Sequence, residues 1–399
     1  MSNELDPMHT YAAVFPKFND LTSHQRKALN ATSPFYITGP AGCGKSVVVL
    51  WKLINNLENN KNSILFPYNV MLNKYLKICA QQATGNNNDN HIKSIYKALR
   101  SSIKGYDRNG DNTWYWDKAK ADKYKNVIYE VIIDEAQDLE AEAFEILAPN
   151  VPYLSISADF NQQLYKNSVK SKEEIDAILS KYNRRIQEFH LNQIYRYPVA
   201  IYRFVINFIQ KGENAESLNW LEQKAKRENI NQILPKVYDG IPKDKEMERL
   251  ISIIKSYKET NIAILLPHAP DKSYEIDNDK YRSSVKYYYN QLSQNFTCSY
   301  YTSDTKQDEI TLGKIHISTF KSAKGLEFDT VIIPQIELID DAFTKQLNEY
   351  YVALTRAKTN LILLSNKRVE NISKFNKIDS SLYDKISYTE QKSFYEIDF

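Results

Sequence analysis

The stretch FYITGPAGCGKSVVVLWKLINNL, residues 35–57, decides how this chain is read. Its centre, GPAGCGKS at 39–46, satisfies G-x-x-x-x-G-K-[ST] at every position. A strand-like FYIT precedes it and a helix-like run follows, which is the context the pattern requires. Three glycines let the backbone curl its N–H groups around phosphate oxygens, and the helix N-terminus adds its dipole. Gly39, Pro40, Ala41, Gly42, Cys43 and Gly44 would form that cradle. Lys45 would reach the terminal phosphates of a nucleotide, and Ser46 would hold Mg²⁺. A chance glycine-rich turn is the competing explanation, and it leaves the flanking strand and helix unexplained.

Further along, VIIDEAQDL at 131–139 sets three carboxylates directly after three apolar β-branched residues. Acids at the end of a buried strand cost desolvation unless a cation or donor meets them. A metal on the phosphates would be that cation. Asp134 would hold Mg²⁺ through water, and Glu135 would orient and deprotonate the attacking water. Capping of the next helix explains Asp138 well and Asp134 poorly.

Apolar runs of strand length recur at 35–38, 63–66, 127–133, 153–157, 262–266, 314–319, 330–334 and 361–364. Helical periodicity marks 45–57, 69–81, 171–182, 197–210, 245–258 and 343–357, with a Ser171/Glu174 capping box opening the third. Continuous apolar strands alternating with helices predict an α/β fold of parallel sheets covered on both faces. We divide the strands between two lobes, 1–190 and 191–399, with a small polar insertion at about 83–126. Residues 267–312 read as a long connection carrying one helix at 284–294, and the last 30 residues as peripheral.

At 399 residues, 42% hydrophobic and 25% charged, the chain can build two full cores. A net charge of +3 does not by itself argue for a polyanionic partner, so any nucleic-acid surface must be a local patch. Three widely spaced cysteines argue against a disulfide framework and for a reducing compartment. No run of 18 apolar residues occurs, and MSNELDPMHTY lacks the features of a signal peptide, so a cytoplasmic location is expected. The six histidines show no metal-ligand spacing.

At DEAQD the chain resembles the UvrD/Rep-type superfamily 1 DNA helicases, and further motifs follow in that family's order. LTSHQRKAL (21–29) resembles the segment whose glutamine reads adenine, here Gln25. SADFNQQLY (157–165) resembles G-D-x-x-Q-x-I-Y and implies Gln162 as a γ-phosphate sensor. LNQIYRYP (191–198) resembles L-x-Q-N-Y-R, implying that Tyr195 stacks on adenine and Arg196 reaches the γ-phosphate. STFKSAKGLEFD (318–329) resembles T-x-H-x-x-K-G-L-E-F, with Glu327 toward the ribose, and YYVALTRAK (350–358) supplies Arg356 as a second arginine finger. The resemblance implies two RecA-like lobes of the P-loop NTPase type, with ATP in the cleft between them. It also implies translocation on single-stranded DNA, 3′→5′. Phosphoryl transfer independently calls for such cations, since an arginine finger is worth roughly 10³–10⁵ in rate.

By the same resemblance, the candidate nucleic-acid contacts are Tyr68, Asn69, Ser94, Tyr165 and Lys321. For Tyr68 and Tyr165, half-buried packing is an equal alternative. The chain departs from its relatives at Asn167, where many carry an aromatic, and at Val47, Ile194 and Lys321. Only about 120 residues separate the YR motif from STFKSAKGLEFD, so the large insertion domain of many relatives is expected to be absent. TWYWDKAKADKYK (113–125) interleaves aromatics with lysines, yet such a mix is more often an apolar plug under a solvated helix. RNA stays open as a substrate because phosphate and stacking contacts do not separate the sugars. A second class of function also fits: a nucleotide-gated sensor of DNA that licenses a partner, such as a nuclease, in repair or phage defence.

Overall fold

In the computed structural model, residues 15–31, 34–103, 113–182, 186–210, 212, 214–258, 260–267, 273–276, 279–282, 284–301, 313–340 and 346–389 are described. The first half comprises α1 (Ser23–Leu29), β1 (Phe35–Thr38), α2 (Lys45–Glu58), β2 (Ser63–Pro67), α3 (Val70–Thr84), α4 (Ile95–Leu99), β3 (Arg100–Ile103), β4 (Thr113–Trp116) and α5 (Lys118–Asp122). It continues with β5 (Glu130–Asp134), α6 (Ala141–Leu147), β6 (Tyr153–Ala158), α7 (Lys172–Ser180) and β7 (Gln187–His190). Strands β2-β5-β6-β1-β7 form one wholly parallel sheet. Parallel strands put all their carboxyl ends on one edge. The phosphate loop after β1, Asp134 at the end of β5 and Asp159 after β6 therefore emerge side by side.

The second half holds α8 (Val199–Ile209), α9 (Ala215–Arg227), β8 (Lys236–Asp239), α10 (Glu246–Ser256), β9 (Ile262–Leu266), β10 (Ser273–Ile276), β11 (Asp279–Arg282) and α11 (Val285–Leu292). After these come β12 (Cys298–Tyr301), β13 (Ile315–Thr319), β14 (Phe328–Ile333), α12 (Leu347–Leu354), β15 (Ala357–Leu364) and β16 (Asp384–Ser387). Its sheet, β12-β13-β9-β14-β15-β8-β16, is also parallel throughout. β2, β5, β9 and β13 are buried at every residue, as strands covered on both faces must be. The two parallel sheets expected from the apolar runs are present.

Several local expectations need correction. β5 starts at Glu130 rather than 127, because Val127 and Ile128 donate their N–H groups to Tyr124 O and so belong to the turn that closes α5. Within 83–126 the described residues form α4, the antiparallel pair β3–β4 and α5, while 104–112 lie outside the described residues. The 267–312 connection carries a hairpin and strand β12 besides its helix, while 302–312 lie outside the described residues. α12 ends at Leu354, so Arg356 precedes β15 instead of continuing a helix. The C-terminal region is not peripheral up to residue 389. Ile372, Phe375 and Ile378, spaced by three as short 3₁₀ turns require, enter the core, and β16 extends the sheet beside β8.

Candidate active site

The phosphate loop is held open by its glycines. Gly42 (φ +77°) and Gly44 (φ +88°) occupy the left-handed region, where a side chain is strained. A Cβ on Gly42 would also come within 2.7 Å of the Arg196 Cβ, and one on Gly44 within 2.3 Å of the Gln25 amide nitrogen. No side chain caps α2 and no acid occupies its first turn, so its leading N–H groups are free to face an anion. Lys45 Nζ donates to Gly39 O (2.7 Å) and Pro40 O (3.1 Å) and lies 3.8 Å from the Asp159 carboxylate. Burial opposes its charge, but Cys43, Asp159, Glu135 and Asp134 raise its pKa above the ordinary value. Cys43 is buried with a raised pKa, which suits a packed thiol better than a nucleophile.

Asp134 is fully buried. Its Oδ1 accepts from Ser157 Oγ (2.5 Å) and Glu135 N (3.1 Å), while Oδ2 has no hydrogen-bond partner. Burial, with the Glu135 charge beside it, pushes its pKa up to about 6, and the nearby Ser46 hydroxyl pulls the other way. An orphaned carboxylate oxygen close to a serine hydroxyl is what a metal shared with phosphates would use. Mg²⁺ ordinarily takes only one or two carboxylates plus phosphate and water oxygens. Among the described residues no group of three or more His, Cys, Asp or Glu could hold a metal alone. The residues present therefore fit Mg²⁺ delivered with a nucleotide.

Glu135 sits at φ +59°, a strained backbone that aims its side chain inward. It accepts from Gln137 Nε2 (2.6 Å) and meets Lys324 Nζ at 3.3 Å. Burial raises its pKa, yet Lys324, Lys45, Gln137 and Arg356 together bring it down to about 2. Arranged this way, the carboxylate can orient a water but is a weak proton acceptor. Gln162 is buried; its Nε2 donates to Asp159 (2.7 Å) and its Oε1 accepts from Arg356 Nη2 (2.9 Å). Arg356, also buried, further donates to Val352 O and Leu326 O. Burial and the neighbouring Arg196 lower its pKa to about 9, which leaves it cationic at neutral pH.

Arg196 lies in the segment that crosses from β7 to α8. Tyr195 N donates to Gly42 O and Tyr197 Oη donates to Ala41 O, so this segment is pinned to the phosphate loop. Arg196 donates to Glu327 (3.0 Å) and Thr355 O (3.3 Å). Glu327 is thus engaged with an arginine. Tyr195 packs edge-on against Trp220 (5.5 Å), and Gln25 spans Thr22 N and Cys43 O. A cavity of about 430 Å³ brings Gln25, Lys45, Glu135, Gln162, Tyr195, Arg196, Glu327 and Arg356 into one lining.

Of the expected nucleic-acid residues, Tyr68, Tyr165 and Lys321 stand together. Tyr68 and Tyr165 pack on each other (5.1 Å), and Lys321 lies over the Tyr165 ring (5.7 Å) while paired with Glu349 (3.0 Å). Asn69 is hydrogen-bonded within the protein. Its Oδ1 caps α3 at Leu72 N and its Nδ2 donates to Lys324 O (2.6 Å), so the side chain is committed to the protein. Ser94 N-caps α4 and lines a groove with Lys74, Lys77, Lys93, Lys97 and Lys123. The sequence reading missed Lys324. This buried cation from the second half meets Asp138 (2.5 Å), Glu135 and Gln162 O (2.7 Å) of the first. Its place inside STFKSAKGLEFD was the only signal.

A family model described as the UvrD-like helicase C-terminal domain matches residues 314–364, which include the STFK and TRAK motifs. No curated protein matches the chain. Similar solved structures include a C-terminal domain of a possible DNA helicase from Lactobacillus plantarum WCFS1, at 14% identity and TM-score 0.32, covering 48% of this chain and 98% of that one. A Bacteroides Pif1 bound to ssDNA aligns at 13% identity and TM-score 0.40, covering 86% of this chain and 92% of that one. A Pif1 structure concerned with unwinding at forked dsDNA aligns at 15% identity over the same shares, also with TM-score 0.40. Likenesses of this size add nothing to what the family models establish. A family model described as "Schlafen group 3, DNA/RNA helicase domain" matches residues 32–334, and the chain belongs to that helicase family.

Proposed function

We infer that this chain is an ATP-driven motor that hydrolyses ATP and moves along single-stranded nucleic acid, DNA by the family resemblance and 3′→5′ in direction. The observation that carries the reading is the Arg356–Gln162 contact of 2.9 Å across the seam, beside Lys45 and the Asp134–Glu135 pair. Cations from one half thereby stand opposite the phosphate loop of the other. Ser46 and Asp134 would hold Mg²⁺, which offsets phosphate charge. Lys45, Arg196 and Arg356 would meet the phosphoryl oxygens, Glu135 and Gln162 would orient the attacking water, and Gln25 and Tyr195 would flank the base. Closing and opening one seam with the nucleotide state is sufficient for a stroke. The division at 190/191 belongs to this proposal, as does a reducing, cytoplasmic setting. Cys43, Cys79 and Cys298 are all free thiols, and among the described residues no helix is long and apolar enough to cross a membrane.

The test is ATP turnover titrated with single-stranded DNA, duplex DNA and RNA, followed by displacement from duplexes with 3′ or 5′ tails. Strong stimulation by single strands and displacement from the 3′ tail is the expected result. Turnover indifferent to all three polymers would end the motor reading.

A further inference from the structure

A second group of buried polar side chains lies in the other half, and none of its members lines the nucleotide cavity. Strands β14, β15 and β8 are neighbours in the second sheet, and the segments leaving their carboxyl ends carry the group. Gln335 and Glu337 follow β14, Ser365 and Asn366 follow β15, and Glu246 opens α10 after β8. Parallel sheets hold ligands outside this edge. Glu246 accepts from Tyr288 Oη and from Gln335 Nε2 (3.1 Å). Burial raises its pKa, and the hydrogen bonds from Tyr288, Gln335 and the Asn366 side chain pull the other way. Asn366 joins the two acids, because its backbone N–H also donates to Glu337 Oε1 (3.1 Å). Its amide nitrogen donates to Ile241 O as well (3.1 Å).

This pair of acids is short of positive charge. Glu246 is 7% exposed and Glu337 1%. Burial, with the Glu246 charge beside it, raises the Glu337 pKa to about 7. The groups that favour its ionised form are backbone N–H donors and the Ser365 hydroxyl, and among the described residues no lysine or arginine pairs with it. Lys243, whose charge reaches Glu246, is itself exposed. Glu337 Oε2 and Asn366 Oδ1 have no hydrogen-bond partner among the described residues. Both atoms sit in the one network that Asn366 ties together. A single proton would neutralise one acid and leave the other charged among neutral donors. A divalent cation would offset both acids and engage both bare oxygens. Every atom on offer is a carboxylate or amide oxygen, which suits Ca²⁺ or Mg²⁺ rather than zinc or copper. Two acids do not complete such a shell, so amide and water oxygens must supply the rest.

We propose that Glu337, Glu246 and Asn366 hold a divalent, oxygen-seeking cation at the carboxyl edge of the second sheet, where it ties together the segments leaving β14, β15 and β8. The site stands whether or not the chain is a motor. The experiment takes the chelator-treated full chain at pH 8, without nucleotide, and adds Ca²⁺, Mg²⁺ or Mn²⁺. The preferred ion, at about 100 times its Kd, should raise Tm by about 5–10 °C. Terbium luminescence sensitised by tyrosine, with Tyr288 bonded to Glu246, reads occupancy directly, and the preferred ion should displace the signal. Asp134→Asn removes the carboxylate at the nucleotide's metal and should leave the ion-induced shift and the terbium signal unchanged. Glu337→Gln should lose both. Asn366→Ala keeps both acids and should weaken terbium binding, which tests the site even if Glu337→Gln does not fold. An unaltered chain whose Tm and terbium signal ignore all three ions overturns the inference and leaves the acids sharing a proton. A response that vanishes in Asp134→Asn and survives in Glu337→Gln overturns it as well.

Discussion

Replacing Asp134 by asparagine should stabilise the protein while disabling it. Burial and the Glu135 charge raise the Asp134 pKa from 3.8 to about 6. The folded state therefore binds this proton more tightly than the unfolded state does. Stability from the group is fully present below pH 3.8 and is lost as pH rises through about 6. A shift of about two units, at ~1.4 kcal/mol each, makes the ionised carboxylate cost about 3 kcal/mol at pH 7.5. The substituted amide would keep the acceptor toward Ser157 Oγ and Glu135 N, and would turn an NH₂ toward the Ser46 hydroxyl, which can accept from it. With an unfolding entropy of ~2.1 cal/mol/K per residue, Asp134→Asn should raise Tm by ~4 °C if all 399 residues melt together. It should raise Tm by ~7 °C if the first lobe melts alone. The assay is differential scanning fluorimetry in EDTA from pH 4 to 8, repeated with Mg²⁺ and a non-hydrolysable ATP analogue. The gain should vanish near pH 4, and stabilisation by Mg²⁺-nucleotide should shrink in the variant. A variant no more stable than the parent at pH 7.5 in EDTA would refute the assignment of Asp134 as a destabilising, metal-ready carboxylate.

Lys45→Ala should abolish turnover. Arg356→Ala and Arg196→Ala should each lower kcat by as much as ~10³–10⁵ while a fluorescent ATP analogue still binds; unchanged kcat in both would remove the finger assignment. Lys324→Met leaves Asp138 and Glu135 with one cation fewer in a buried setting, at a cost of about 3–5 kcal/mol in urea unfolding. Adding Asp138→Asn should recover much of that loss, and strict additivity of the two changes would show that the contact carries no coupling.

The two sheets were legible because parallel strands buried on both faces are written as apolar runs, and each of the eight runs singled out overlaps a strand of the fold. The strands that escaped lie at sheet edges or are short: QEFH and DKIS leave most residues at least partly exposed, so no apolar run marks them. The phosphate loop and the acid pair were legible because their chemistry fixes residue types at fixed spacing. Contacts between distant segments were not. Nothing local says that Lys324 crosses to Asp138, 186 positions away, or that Asn69 spends its amide on Lys324 O. That Trp116 is buried while Trp114 is exposed was likewise invisible in TWYW, because strand alternation puts both rings on one face.

Each cation that the site would turn toward a phosphate already holds a protein acceptor. Lys45 has Gly39 O, Arg356 has the Gln162 amide oxygen, and Arg196 has Glu327. Buried cations need such partners, since an uncompensated charge costs several kcal/mol. A triphosphate must therefore compete with these acceptors rather than fill empty coordination. For Lys45 and Arg356 the exchange replaces a neutral oxygen by an anionic one, and charge-assisted bonds are roughly twice as strong. For Arg196 it replaces one anion by another, and the released Glu327, with its side chain 30% exposed, can be rehydrated. The gain then falls mainly on Lys45 and Arg356, which come from opposite sides of the seam. Only such a difference between nucleotide-bound and protein-bound partners can shift the equilibrium between closed and open seams. On the proposed motor reading, the closing force would come from what phosphate offers Lys45 and Arg356 beyond what Gly39 and Gln162 already supply.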